Sequence, residues 1–216
     1  MGSRIFGHPV VTLALLGAAL LAGCVDPGKR FDDFDRRVID AGAAGPQCDG
    51  ALRDINGEFL IALSPGFSPD DVLQFIATVD MTTDGDTATA AFSFQPLVAM
   101  ECDPDNYRET VGDPLEVDDV EIGSDGAFAF TFDGAQVAGQ ANEVSCGAIL
   151  ADITLTGIIR SPDEWCGDGS GMVMAPTPAN LEGSTFGAIR IDPGTVGDDL
   201  PAPQPACAAC GEPDAG

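Results

Sequence analysis

The sequence predicts an all-β protein: an antiparallel up-and-down barrel of about eight or nine strands over residues 50–192, with a two-sheet sandwich as the alternative. Three observations carry the prediction. Apolar side chains recur at every second position in one segment after another, Asp-Gly and related pairs punctuate the gaps, and no long segment shows the 3.6-residue period of an amphipathic helix.

The alternation begins in GEFLIAL, where Phe59, Ile61 and Leu63 share one face. In VLQFIATVDM, Leu73, Phe75, Ala77, Val79 and Met81 oppose Gln74, Thr78 and Asp80. DTATAAFSFQ places Ala88, Ala90, Phe92 and Phe94 against Thr87, Thr89, Ala91 and Ser93. GAFAFTF sets Phe128, Phe130 and Phe132 on one side, and ILADITLTGII sets Ile149, Ala151, Ile153 and Leu155 against Asp152, Thr154 and Thr156. Such segments are half-buried strands with one face on a core. Weaker candidates are 115–122, 135–142, 171–175 and 183–191. In the first of these, Asp118-Asp119 shifts the phase between Val117 and Val120, as a β-bulge does. Turns are expected at Thr83-Asp84-Gly85-Asp86, Ser124-Asp125-Gly126 and Ser161-Pro162-Asp163, with a two-residue hairpin at Asp133-Gly134. Short turns between successive strands favour a meander, and closure removes the exposed edges that invite aggregation.

The two ends read differently. Met1 to His8 carry one arginine, Arg4, and no acid; an apolar run, VVTLALLGAALL, follows from Val10 to Leu21. That is a signal-peptide pattern, too short for the ~20 residues of a permanent span. It closes on Leu21-Ala22-Gly23-Cys24, which resembles the lipobox of bacterial lipoproteins. The resemblance covers residues 1–24 and implies cleavage before Cys24, a diacylglyceryl group on its thiol and a further acyl chain, such as palmitate, on its amino group. Two or more chains give stable anchoring where one is marginal. By the lipoprotein sorting rule, Val25 rather than aspartate after the cysteine implies the outer membrane, with Asp26 one place later. Residues 24–49 then read as a lipidated tether, reaching about 25 Å if flexible. Residues 193–216, rich in Pro, Ala, Gly and Asp, read as a tail outside the core.

Charge and composition exclude several functions. The formal charge is −26, and removing residues 1–23 takes away Arg4 and no acid, leaving about −27 on the remaining 193 residues. Nucleic acid and anionic lipid surfaces are therefore not expected as partners. The one histidine, His8, lies in the signal, so the mature chain has no imidazole for a Ser–His–Asp or Cys–His nucleophile or a histidine-bound metal. No catalytic residue and no cofactor is expected, and the protein is not expected to be an enzyme.

Cys48, Cys102, Cys146, Cys166, Cys207 and Cys210 are six candidates for disulfides in an oxidising compartment, with 15 possible connectivities. Local pairing of Cys207 with Cys210 would leave three; the alternative is a staple from this tail back to the domain. Calcium is a weak possibility at Asp84 and Asp86, or at Asp103 and Asp105, where oxygens alternate; no metal site is otherwise expected. Trp165, the only tryptophan, stands in a glycine-rich stretch that reads as a loop. It fits the mouth of a ligand site or, more simply, the packing over a disulfide that seals one end of the barrel.

The functional expectation is a membrane-anchored, non-catalytic envelope or surface lipoprotein whose acidic β-domain binds an unknown partner. The alternative is a lipocalin-like carrier of a small apolar ligand inside the barrel. A filled interior argues against the carrier, and a pocket above ~300 Å³ favours it. Replacing Cys24 by serine is expected to abolish acyl labelling and membrane fractionation; fractionation unchanged in that variant would refute the lipid anchor.

Overall fold

The computed structural model describes residues 50–208; Cys24, Cys48 and Cys210, with the signal and the whole tether, lie outside them. The strands are β1 (Gly57–Ser64), β2 (Leu73–Asp84), β3 (Thr87–Pro96), β4 (Leu115–Ile122), β5 (Ala127–Val137), β6 (Ile149–Ser161), β7 (Glu164–Ala175), β8 (Ala179–Asn180) and β9 (Ser184–Arg190). Each of β1 to β7 pairs antiparallel with its successor, and β9 closes the ring between β7 and β1. The fold is thus a closed eight-stranded antiparallel barrel with β8 as an extra strand. β8 pairs with Met172 and Val173 of β7, while β9 pairs with β7 from Glu164 to Gly169, one residue out of register with it. The two together fill one wall position, broken at residues 181–183.

The pleat follows the predicted alternation. Inward positions carry Phe59, Ile61, Phe75, Ala77, Phe92, Phe94, Phe128, Phe130, Leu155 and Phe186, all buried. Outward positions carry Thr78, Asp80, Thr89, Glu116, Glu121, Thr131 and Asp152, all exposed. A barrel that faces lipid carries the reverse pattern. Among the described residues no helix is long and apolar enough to cross a membrane. The bulge read at Asp118-Asp119 is present: Phe92 pairs with Val117 and Ala90 with Val120, so two aspartates stand opposite Ala91.

Four expectations are corrected. Asp133-Gly134 is no hairpin; it lies inside β5 as a second bulge, with Phe132 opposite Ile153 and Ala135 opposite Ala151. Gly134 takes φ +66°, and its N–H donates to the Asp152 carboxylate at 2.7 Å, so the bulge is fixed locally. The one-residue phase change from Phe132 to Ala135 is what the bulge absorbs. Consequently the strand expected over 135–142 does not exist as such: β5 ends at Val137, and Gly139–Ala141 form a 3₁₀ turn. The glycine-rich stretch around Trp165 is strand β7 and not a loop. Of the two pairings left open for Cys207, the staple back to the domain is the one formed, with Cys166; the second described disulfide joins Cys102 to Cys146.

The fourth concerns the tail. From Pro193 to Ala208 it lies along the outer wall. Leu200 and Val196 pack with Leu60, Ile76, Leu97 and Ile191 in a small second core on the outside of β1 and β2. Arg108 is buried there, donating to Gln74 Oε1 at 2.9 Å and to the carbonyls of Leu200 and Pro201, both at 3.1 Å. Thr185 donates to the Pro205 carbonyl at 2.7 Å, just before the Cys166–Cys207 bridge.

The middle of the barrel is an aromatic stack. Trp165 is fully buried among Phe59, Phe92, Phe128 and Phe186, with ring centroids 5.7–5.8 Å away and edge-on geometry throughout. Its buried indole N–H has no hydrogen-bond partner among the described residues. Room for the Phe128 ring comes from Gly157, which pairs with Gly167 across β6 and β7. A Cβ on Gly157 would stand 2.4 Å from the tip of the Phe128 ring. Overpacking of this kind costs about 1–3 kcal/mol. Gly157→Ala is therefore expected to lower stability by about that amount, although alanine is ordinarily the better residue in a strand; urea unfolding followed by Trp165 emission measures it.

Candidate apolar pocket at the barrel mouth

One end of the barrel is closed. Residues 50–56 fold across it: Ile55 is fully buried, the Ala51 N–H donates to the Ile159 carbonyl at 3.3 Å, and the Leu52 N–H donates to Ser124 at 3.2 Å. The Asn56 side chain accepts from Met81 N–H at 2.6 Å and donates to the Met81 carbonyl at 3.1 Å. Arg190 lies over the Phe59 ring at 4.6 Å and pairs with Asp163 at 2.8 Å. Above this end the aromatic stack leaves no room for a ligand.

The other end opens. There the β1–β2, β3–β4, β5–β6 and β7–β8 connections surround a pocket of about 360 Å³. Its walls are Leu63, Leu73, Phe75, Leu115, Val137, Ile149, Ile153 and Val173, the last inward residues of their strands, with Pro176, Ala179 and Leu181 on the far side. A further gap of about 30 Å³ continues inward between Phe94, Phe132 and Leu155. Phe67 and Val144 stand at the rim, 45% and 41% exposed, large for apolar side chains in a polar surface. Volume and lining are those of a small-molecule pocket. The Phe-rich strands thus do both things the sequence left open: they fill the middle of the barrel and leave its mouth empty.

Polar groups are few in the lining, and the principal one is engaged. Buried Asn142 donates to Ser145 Oγ at 2.8 Å and to the Gly147 carbonyl at 2.7 Å, and accepts from Val144 N–H at 3.2 Å. It shapes the loop that the Cys102–Cys146 disulfide ties to the β3–β4 connection.

The wall is also parted beside the pocket. β4 and β5 share a single paired position, Ile122 with Phe128. Below it the strands diverge, and an open cleft runs between Leu115, Glu116, Phe132, Asp133 and Val137. Leu115, Val137 and Ile149 line cleft and pocket alike.

The other predicted positions are scattered. Trp165 lies beneath the pocket and does not line it, so it is neither a ligand platform nor a cover over the disulfide; Cys166, on the opposite face of β7, makes that bond. Asp84 and Asp86 flank the β2–β3 turn at the closed end, while Asp103 and Asp105 belong to a 3₁₀ turn on the mouth side. Asp103 accepts from the Asn106 side chain at 2.9 Å. Among the described residues no three acidic, histidine or cysteine side chains converge as metal ligands would. The pocket itself had only an indirect signal in sequence, in the aliphatic rather than aromatic residues at the mouth ends of β4, β6 and β7. Comparison with protein-family models, with curated proteins and with solved structures finds no match.

Glu143, between pocket residues Asn142 and Val144, is the described group with a resolved shift. Partial burial pushes its carboxyl above the ordinary range, and the nearby charges of Glu101 and Asp71 push the same way; backbone N–H groups of Glu101 and Met100 offset part of this. An acid with a raised folded value binds more protons when folded, so its contribution to stability falls as pH rises from about the unfolded value of 4.5. Glu143→Gln is expected to raise the melting temperature at pH 7 by a degree or so and to leave it unchanged near pH 4. Equal melting at pH 7 would show the rim to be relaxed.

Proposed function

We propose that the protein is an outer-membrane lipoprotein, anchored through lipid on Cys24, whose β-barrel takes up a small apolar ligand at its mouth. The observation that supports the ligand is the pocket of about 360 Å³ at the barrel mouth, walled mainly by apolar side chains. An apolar cavity of this kind gains nothing from water, since water needs two to four polar partners and the lining offers few. Burial of a ligand there draws on the same hydrophobic term that folds the barrel, about 25 cal/mol per Å².

The anchor rests on the LAGC motif and its apolar run. The acidic outer wall supports lipid as the sole attachment, because carboxylates do not adsorb to an anionic leaflet. Binding without catalysis follows from the same inventory: a chain without histidine beyond residue 8, and a lining without paired ionisable groups. A second reading, in which the pocket receives an apolar side chain of an envelope protein, is favoured by exposed Phe67 and Val144, which extend the apolar surface beyond the cavity.

The single tryptophan makes the test direct. N-phenyl-1-naphthylamine seated in the pocket lies just above Trp165 and quenches its emission by energy transfer, saturating at one probe per chain. Filling the pocket with Ile153→Phe together with Val173→Phe is expected to weaken that quenching at least tenfold while far-UV circular dichroism stays unchanged. Quenching that survives the filled pocket would place the probe elsewhere and remove the carrier reading.

A further inference from the structure

Resting on the pocket described above, the distribution of charge around it decides which head group a ligand can carry. Four cations occur among the described residues, all arginines, and none lines the pocket. Arg53 and Arg190 stand at the closed end, on the segment that folds across it and at the last residue of β9; Arg160, near the end of β6, is there too. Arg108 is the one cation on a mouth-side connection, and it is turned to the outer wall, where its donors are spent on Gln74, Leu200 and Pro201. The lining therefore has no cation to meet an anionic head, and the Asn142 donors are already satisfied.

The rim carries the opposite sign. Glu143 stands between lining residues Asn142 and Val144, and its carboxylate accepts from the backbone of the 100–101 turn; Glu101 and Asp71 are close enough to repel it. Asp71 belongs to the β1–β2 connection that also supplies rim residue Phe67, and it is held by a hydrogen bond from Ser68. Glu182 lies on the far side, next to lining residue Leu181. A ligand whose tail fills the cavity must leave its head beside these carboxylates.

We propose that the acidic rim of Asp71, Glu101 and Glu143 acts as a charge filter, so that the pocket accepts apolar molecules with uncharged or cationic heads and refuses fatty-acid carboxylates. Discrimination of this kind comes from repulsion of the wrong ligand rather than from new contacts with the right one. The aliphatic wall contributes equally to any ten-carbon tail, so the head alone sets the difference.

The test uses the full chain in phosphatidylcholine vesicles, with partition into protein-free vesicles subtracted. Decanol, decylamine and decanoate compete against N-phenyl-1-naphthylamine, and recovery of Trp165 emission reads displacement. Decanoate is expected to need at least a tenfold higher free concentration than decanol, about 1.4 kcal/mol, and decylamine no higher a concentration than decanol. The gap should close in the Glu101→Gln/Glu143→Gln double variant. Raising the salt concentration in the unaltered chain should narrow it as well, which checks the mechanism without any substitution. Equal displacement by decanoate and decanol would overturn the filter while leaving the pocket in place. A gap indifferent both to salt and to the double variant would overturn the role given to these acids. A probe that never quenches Trp165 would remove the pocket reading and the filter together.

Discussion

The edge-to-face packing of Trp165 against four phenylalanines is the constraint on which the rest of this barrel depends. A ring of eight strands has a lumen only wide enough to be filled by side chains or to hold one small ligand. Here the two outcomes occur at different heights. Where Trp165 meets Phe59, Phe92, Phe128 and Phe186, five aromatic groups fill the section, and Gly157 leaves the space that the Phe128 ring takes. Towards the mouth the inward residues are Leu63, Leu115, Val137, Ile153 and Val173, which do not reach the axis. The stack fills the barrel beneath the pocket.

The electrostatics are arranged around this division. With 35 acids and nine bases, the chain cannot neutralise its carboxylates in pairs, and only one ion pair, Arg190 with Asp163, is found among the described residues. The arginines are used instead as structural clamps. Arg190 covers the aromatic floor at the closed end, and Arg108 fastens the C-terminal segment to the outer wall. Among the described residues, the charged groups left near the mouth are carboxylates.

The wall was legible in the sequence because its signal is local. Period-two alternation in Ala88–Ala90–Phe92–Phe94 or Phe128–Phe130–Phe132 needs no knowledge of partners, and the phase slip at Asp118-Asp119 announces its own bulge. Features that depend on distant contacts were not legible. Asp133-Gly134 is a good hairpin pair in isolation, but the wall continues through it because Asp152 on β6 holds the Gly134 N–H. The tail from Pro193 looks like linker by composition, yet one leucine, a buried arginine and a disulfide to Cys166 suffice to hold it. Trp165 looked like a loop residue because its glycine neighbours were read as turns, when they stand within the continuous strand β7. The pocket was least visible of all, since an aliphatic residue that lines a cavity and one that fills a core have the same periodicity.

The two bulges also explain why the wall parts where it does. A bulge interrupts the ladder and bends its strand. β4 carries one at Asp118-Asp119 and β5 the other at Asp133-Gly134, and these are the neighbours that share a single paired position. Outward Glu116 on β4 faces the side of the cleft where β5 presents Asp133, so no cross-strand attraction offsets the missing hydrogen bonds. Elsewhere the ring is held by long ladders, by two disulfides and by the strapped tail. The cleft joins the pocket through Leu115 and Val137, so the least restrained part of the wall is also the part nearest the cavity.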